Sequence, residues 1–551
     1  MSKIDSAEKN YIMWRNIYVL FVVLYAFGIV YNSAMPITGD DIAFYTTLKQ
    51  GNQLWHGLAF EFGRFFPLAG WNLNLVALFS TSPYAFMIGN ACVFIVTAWA
   101  FWRIGVTLCA FSSSNYYGGG GYICIAFVAF SLSGGYTNIV ASLCYPELTE
   151  TLFLLFFIIL AFRYYQNKKT IWLILALIFG NACIYMKEVA FILIGGFGFF
   201  HLFFTLWNED FKFEILEKKI VLFDVLCMLS AILFLGLYIF FTFESKSDYR
   251  ELIPFFSILR TILISGLGTP FLSIILPILV LIRLFAVIRY REQWNAFGDT
   301  LAVIAVLYWG AYLAMGMASY HYYVPANILA FLYVLFFFKY YANKIGFFFA
   351  RFVLCVSVGI LFVSDIPMGL HNLGIFKTQV KNTQDAFNFL AEYIRKSPKK
   401  VDLYFDGFCR GYDKCHYYYF MYPTLFQNLP NYYGVTDNYD IKSKEPNGNN
   451  FTINPNSPLT FFNSDEVSEP QSGDIVILHY MSSKYMTPSD VQDIVAQYEV
   501  LFVSNNYPYY PMYNLMSLGA WVLKKLGIST SFDNRGNIFK LPSQVYVLRV
   551  P

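Results

Sequence analysis

Residues 36–71 read PITGDDIAFYTTLKQGNQLWHGLAFEFGRFFPLAGW and lie between two apolar runs, 14–35 and 83–104. Each run is long enough to cross a bilayer, which takes roughly 20 apolar residues in a helix. The adjacent carboxylates Asp40 and Asp41 follow the first run almost at once, and an amphipathic stretch leads from them to Gly63 and Arg64. Carboxylates at a membrane boundary are costly to desolvate, so they are candidates for chemistry as well as for anchoring. A solvated loop start is the plainer reading. Other ionisable residues must converge on the same side to displace it.

Working outward, 57% of the 551 residues are hydrophobic and only 13% are charged, so most of the chain is solvated by lipid. A net charge of +3 is too small to imply a nucleic-acid partner. Apolar runs at 14–35, 83–104, 119–136, 147–165, 170–186, 188–207, 220–243, 265–288, 299–317, 322–341 and 345–364 predict about eleven spans. With the N-terminus in the cytoplasm, Arg103, Arg163, Lys168, Lys169, Lys212, Lys218, Lys219, Arg289, Arg291, Lys339 and Lys344 all fall on the inner side, as the positive-inside rule requires. The first run is followed by further spans and reads as a membrane segment, not a cleaved signal peptide.

The same parity sends Asp40, Asp41, Glu147, Lys187, Glu188, His321 and Tyr322 to the outer side, although none of them was used to fix it. Residues 1–365 are read as a multi-span catalytic domain whose first outer loop is 36–82, and 366–551 as an extracytoplasmic domain. In the latter, helical TQDAFNFLAEYIRKS and SDVQDIVAQ alternate with strand-like VDLYFDG, DIVILHY and YEVLFVS, predicting a small α/β fold. An oxidising outer compartment would let Cys409 and Cys415 form a disulfide.

The chemistry these residues offer is specific. An ionised aspartate can take the proton of an attacking hydroxyl, a role worth ~10²–10⁴-fold in rate. In an extended segment two neighbouring residues point oppositely, so one of Asp40 and Asp41 is the base and the other fixes the loop or the acceptor; the sequence leaves open which. Arg64, among aromatics, is either a snorkelling anchor or a clamp on a lipid phosphate. Glu147 after Pro146 suits a helix N-terminus and also substrate positioning. Lys187 and Glu188 join two apolar runs with almost no loop, and either neutralise each other or serve a site. Arg250 and Arg260 are further candidates for phosphate binding, and His321 with Tyr322 opens a span at the aromatic interface.

The segments GDD, FGR, YPE and YMKE, in that order and on one side, resemble the GT-C superfamily of membrane glycosyltransferases. Within it they are most similar to phage-type O-antigen glucosyltransferases of serotype conversion. The resemblance covers roughly residues 14–364. It implies a polyprenyl-phosphate-linked hexose donor, glucose by that likeness, and a lipid-linked O-antigen or surface polysaccharide acceptor at the outer face of the bacterial inner membrane. It further implies Asp40 or Asp41 as base and Arg64 and Lys187 near the donor phosphate, with His321 standing where many relatives carry arginine. No cofactor is required by this chemistry, since polyprenyl phosphate is already a good leaving group, although the acidic pair could recruit a divalent ion. A flippase for lipid-linked sugars and an O-antigen polymerase are the competing readings. A flippase is expected to hold its ionisable residues near the bilayer midplane, whereas here they gather at one face.

Overall fold

The computed structural model describes residues 2–31, 39–60, 63–110, 119–212, 217–245, 255–341, 347–405, 426, 438–444, 468–479, 488–505, 515–527 and 544–551. Among these residues, nine helices are long and apolar enough to cross a membrane, from Glu8–Tyr31 to Cys355–Lys396. Helices dominate because a lipid-immersed backbone must satisfy its amides within its own segment. A bent pair, Gly120–Ser131 and Gly134–Val140, forms one further span if counted together, and the shorter apolar helix Thr170–Ile184 matches the span expected at 170–186. The chain is a polytopic α-helical membrane protein with a small C-terminal sheet domain.

The bent pair matters most for the site. The chain turns by 68° between its two helices, and the second is almost wholly buried. Glycines make that burial possible. A Cβ on Gly135 would lie 2.5 Å from the Tyr320 carbonyl oxygen, and one on Gly369, across the contact, would lie 1.6 Å from the Leu132 carbonyl oxygen. Asn372 then ties the junction by donating to Gly134 O at 3.0 Å and to the Thr137 hydroxyl at 3.2 Å. Gly369→Ala is therefore expected to destabilise the folded protein by more than about 3 kcal/mol, because a backbone carbonyl cannot yield as a side chain can. Gly310→Ala, where nothing lies within 4 Å, should be close to neutral. Fluorescence-detected thermal unfolding in detergent compares the two; equal midpoints would contradict the packing account.

The opposite end of the bundle is pinned by a buried ion network. Arg283 Nε lies 3.1 Å from Asp299 and its Nη1 3.0 Å from Glu292, while the Tyr341 hydroxyl donates to Asp299 at 3.0 Å. Burial of an arginine is tolerable only with such complete pairing.

One rod carries the chain out of the bundle. Helix Phe347–Ile360 passes through a π turn, Leu361–Asp365, directly into Ile366–Lys396. Its polar second half packs on a five-stranded sheet through Phe389 against Phe502 and Phe387 against Phe405. The strands are β1 (Val401–Tyr404), β2 (Tyr439–Lys442), β3 (Ile475–Leu478), β4 (Glu499–Val503) and β5 (Tyr546–Arg549), in the order β2-β1-β3-β5-β4. β1 pairs with β2 and β3 in parallel, and β5 pairs with β3 and β4 antiparallel. Helix Leu515–Lys525 returns to the rod, where Leu515 N donates to the Ser364 hydroxyl at 3.5 Å.

Candidate active site

Asp40 and Asp41 lie in the first turn of a helix, Gly39–Lys49, and not in an extended segment. Acidic residues favour that position because the unpaired amides of a helix N-terminus carry partial positive charge. The helical turn separates the two side chains by about 100°. Asp40 is exposed, whereas Asp41 is buried. Asp41 Oδ1 accepts hydrogen bonds from the backbone N–H groups of Leu143 and Cys144, both at 2.8 Å. Those amides belong to the turn that follows Gly134–Val140 and leads into helix Glu147–Asn167. Asp41 thus fastens the first loop to the start of that helix.

Glu147 is fully buried, and Lys187 Nζ lies 3.3 Å from its Oε1. Neither Glu147 oxygen has a hydrogen-bond partner among the described residues, so the ammonium is its principal compensation. The Lys187 Nζ also stands over the rings of Phe66, 5.4 Å to the centroid, and Tyr322, at 5.1 Å. Burial works against the lysine's charge, but the carboxylates of Glu147 and Glu188 outweigh that cost and hold the ammonium above the ordinary lysine range.

Lys187 and Glu188 do not form a salt bridge with each other. The backbone at Lys187 is extended, with φ −156° and ψ 141°, which turns neighbouring side chains apart. Glu188 instead meets Arg64 Nη1 at 3.3 Å. The Arg64 loop is held against the same turn by Leu68 N, which donates to Tyr185 O at 3.1 Å, and against helix Lys218–Thr242 by the Tyr238 hydroxyl, which donates to Gly63 O at 3.2 Å. At Gly63 φ is +70°, a left-handed backbone that glycine adopts without strain.

The fourth contributor is the 3₁₀ turn Tyr320–Tyr323. His321 packs on Tyr145, with ring centroids 4.2 Å apart, and Tyr322 stacks on Tyr312 at 5.0 Å. Asp41, Arg64, Glu147, Lys187, Glu188, His321 and Tyr322 are therefore linked through direct contacts and single intervening residues at one end of the bundle. Arg260 is not among them: it is exposed on helix Phe255–Gly268 and makes no ion pair with this group among the described residues. Arg250, Cys409 and Cys415 lie outside the described residues.

Two residues join the cluster that the sequence reading did not name. Glu150, one turn beyond Glu147 and equally buried, accepts a hydrogen bond from the Tyr308 hydroxyl at 2.8 Å. The i, i+3 spacing within YPELTE was the available signal, since it places both carboxylates on one helix face. Among the described residues no three His, Cys, Asp or Glu side chains gather to hold a metal ion.

No family model and no curated protein match the chain. Among solved structures it is similar to ArnT from Cupriavidus metallidurans in the apo state, with a TM-score of 0.43, 11% identity, and coverage of 90% of this chain and 96% of that one. The same protein bound to undecaprenyl phosphate gives a TM-score of 0.42, again at 11% identity with 90% and 96% covered. The oligosaccharyltransferase AglB from Archaeoglobus fulgidus, in complex with an inhibitory peptide and a dolichol-phosphate, gives 0.39 at 10% identity, with 90% of this chain and 74% of that one covered.

Proposed function

We propose that this chain is a glycosyltransferase of GT-C type that moves a hexose, glucose by its sequence resemblance, from a polyprenyl-phosphate donor to a lipid-linked O-antigen or surface polysaccharide. Its place is the bacterial inner membrane, with the N-terminus cytoplasmic and the sheet domain periplasmic. The observation that carries this reading is the convergence of an acidic helix start, two cations and an aromatic turn at a single end of the helical bundle. Four segments distant in sequence supply it.

Asp40, the exposed member of the pair, is the base. It takes the proton of the acceptor hydroxyl as that oxygen bonds to the anomeric carbon, while the bond from that carbon to the phosphate oxygen breaks. The departing polyprenyl phosphate keeps the electron pair, and the sugar carbon inverts. Asp41 is a positioning residue, acting through the Leu143–Cys144 backbone it accepts from. Arg64 and Lys187 stabilise the departing phosphate, which competes with Glu188 and Glu147 for them. Glu147, Glu188, His321 and Tyr322 shape the surrounding pocket and orient the donor. The chemistry balances without a cofactor.

Arg64→Gln is expected to raise the KM for donor by about 10- to 100-fold, the worth of a hydrogen bond to a charged group. Steady-state kinetics on the purified protein measures it, and an unchanged donor KM would remove Arg64 from the phosphate site. The reading as a whole is tested by mass spectrometry of surface polysaccharide from cells with and without the gene. A hexose present only with the gene supports it; identical polysaccharides would reject it.

A further inference from the structure

A polar crevice lies at the far end of the same bundle. It opens between helices Pro83–Ala110 and Glu147–Asn167 and has a volume of about 150 Å³. Arg103 and Thr107 from the first helix and Arg163 and Gln166 from the second give it a polar lining, and Ile158 and Phe162 are among its apolar lining. Arg163 follows Glu147 by 16 residues on one helix, so it stands about 24 Å from the candidate active site along the axis.

We propose that this crevice binds the phosphodiester headgroup of an anionic phospholipid of the cytoplasmic leaflet. Charge complementarity carries the assignment. Two guanidinium groups line one small space, no carboxylate shares it, and neither arginine is ion-paired among the described residues. Guanidinium suits phosphate because its planar donor fork matches two phosphate oxygens at once. The Arg163 guanidinium is held in place by stacking over Trp172, 4.8 Å to the ring centroid, and tryptophan is an interface residue. A space of this size is below the ~300 Å³ that a drug-sized ligand needs, but it accommodates a headgroup whose acyl chains continue along the apolar lining. Basic pockets between spans on the cytoplasmic side bind anionic headgroups for the same reasons. The site lies apart from glycosyl transfer and does not depend on it.

Native mass spectrometry of the purified full-length protein, titrated with phosphatidylglycerol, phosphatidylcholine or inorganic phosphate, tests this. The wild type should bind phosphatidylglycerol in preference to phosphatidylcholine, and the double variant Arg103→Gln/Arg163→Gln should bind it about thirtyfold more weakly, near fivefold per arginine. Arg103→Gln alone leaves the Trp172 stack intact and should lose about fivefold. The charge-matched control Lys169→Gln/Arg289→Gln should keep the wild-type affinity. Unaltered binding in the arginine variants, an equal loss in the control, or displacement of the lipid by millimolar phosphate would each overturn the assignment.

Discussion

Asp40→Asn is expected to leave the protein folded in the membrane and to lower sugar transfer by ~10²–10⁴-fold, the usual worth of a general base. The substitution preserves size at an exposed position and removes the negative charge together with the capacity to accept a proton. Asp41→Asn should behave differently. Its amide oxygen still accepts from Leu143 and Cys144, so the expected loss is that of the charge assistance, about 1.5–3 kcal/mol of stability, with partial activity retained. Asp41→Leu leaves two buried amides without their acceptor, each costing ~1–3 kcal/mol, and should misplace the start of helix Glu147–Asn167. Transfer rates and unfolding midpoints of the three variants separate the roles. Full activity in both asparagine variants would contradict the assignment of a base to this pair.

Lys187→Met has the second large expected effect. It strands the fully buried Glu147 carboxylate, and breaking a buried pair from one side costs ~3–5 kcal/mol. The double variant Lys187→Met/Glu147→Gln should recover much of that stability, because a neutral amide needs no counter-charge, while transfer stays low for want of the phosphate-binding cation. Thermal unfolding and activity measured on both variants distinguish the two roles of Lys187. Stability unchanged in the single variant would show that the Glu147 contact is not a buried ion pair of consequence; activity restored in the double variant would remove Lys187 from catalysis.

Much of this arrangement is legible in the sequence. Lipid forces helices of a fixed minimum length, so the eleven apolar runs correspond to helical segments, and the alternation of β1, β3 and β4 with helices was readable from β-branched and aromatic runs. β2 and β5 were not named. β2 is a four-residue polar strand, YDIK, and carries no burial signal of its own.

The site was legible as a gathering but not as a wiring. Sidedness brings Asp41, Arg64, Glu147 and Lys187 to one end, because counting spans needs no tertiary detail. Partner choice does need it. Adjacency leaves Lys187 and Glu188 free either to neutralise each other or to serve a site, and an extended backbone at Lys187 with the separate arrivals of Glu147 and Arg64 turns them to different partners. The helical start at Gly39–Lys49 likewise decides that Asp41 turns inward while Asp40 stays exposed, a choice that adjacency in sequence leaves open. Glu150 passed unnoticed because its role depends on Tyr308, 158 residues away.

Transfer of a sugar from a polyprenyl phosphate, driven by Asp40 at the same end of the bundle as Arg64 and Lys187, is the step on which the proposed function turns. Its most direct measurement is an assay of purified protein in proteoliposomes with polyprenyl-phosphate-linked glucose and a lipid-linked polysaccharide acceptor. The wild type should form inverted glycoside and free polyprenyl phosphate in equal amounts, and Asp40→Asn should form both ~10²–10⁴-fold more slowly. Donor crossing the bilayer intact with no glycosidic bond formed, or full turnover by Asp40→Asn, would contradict it.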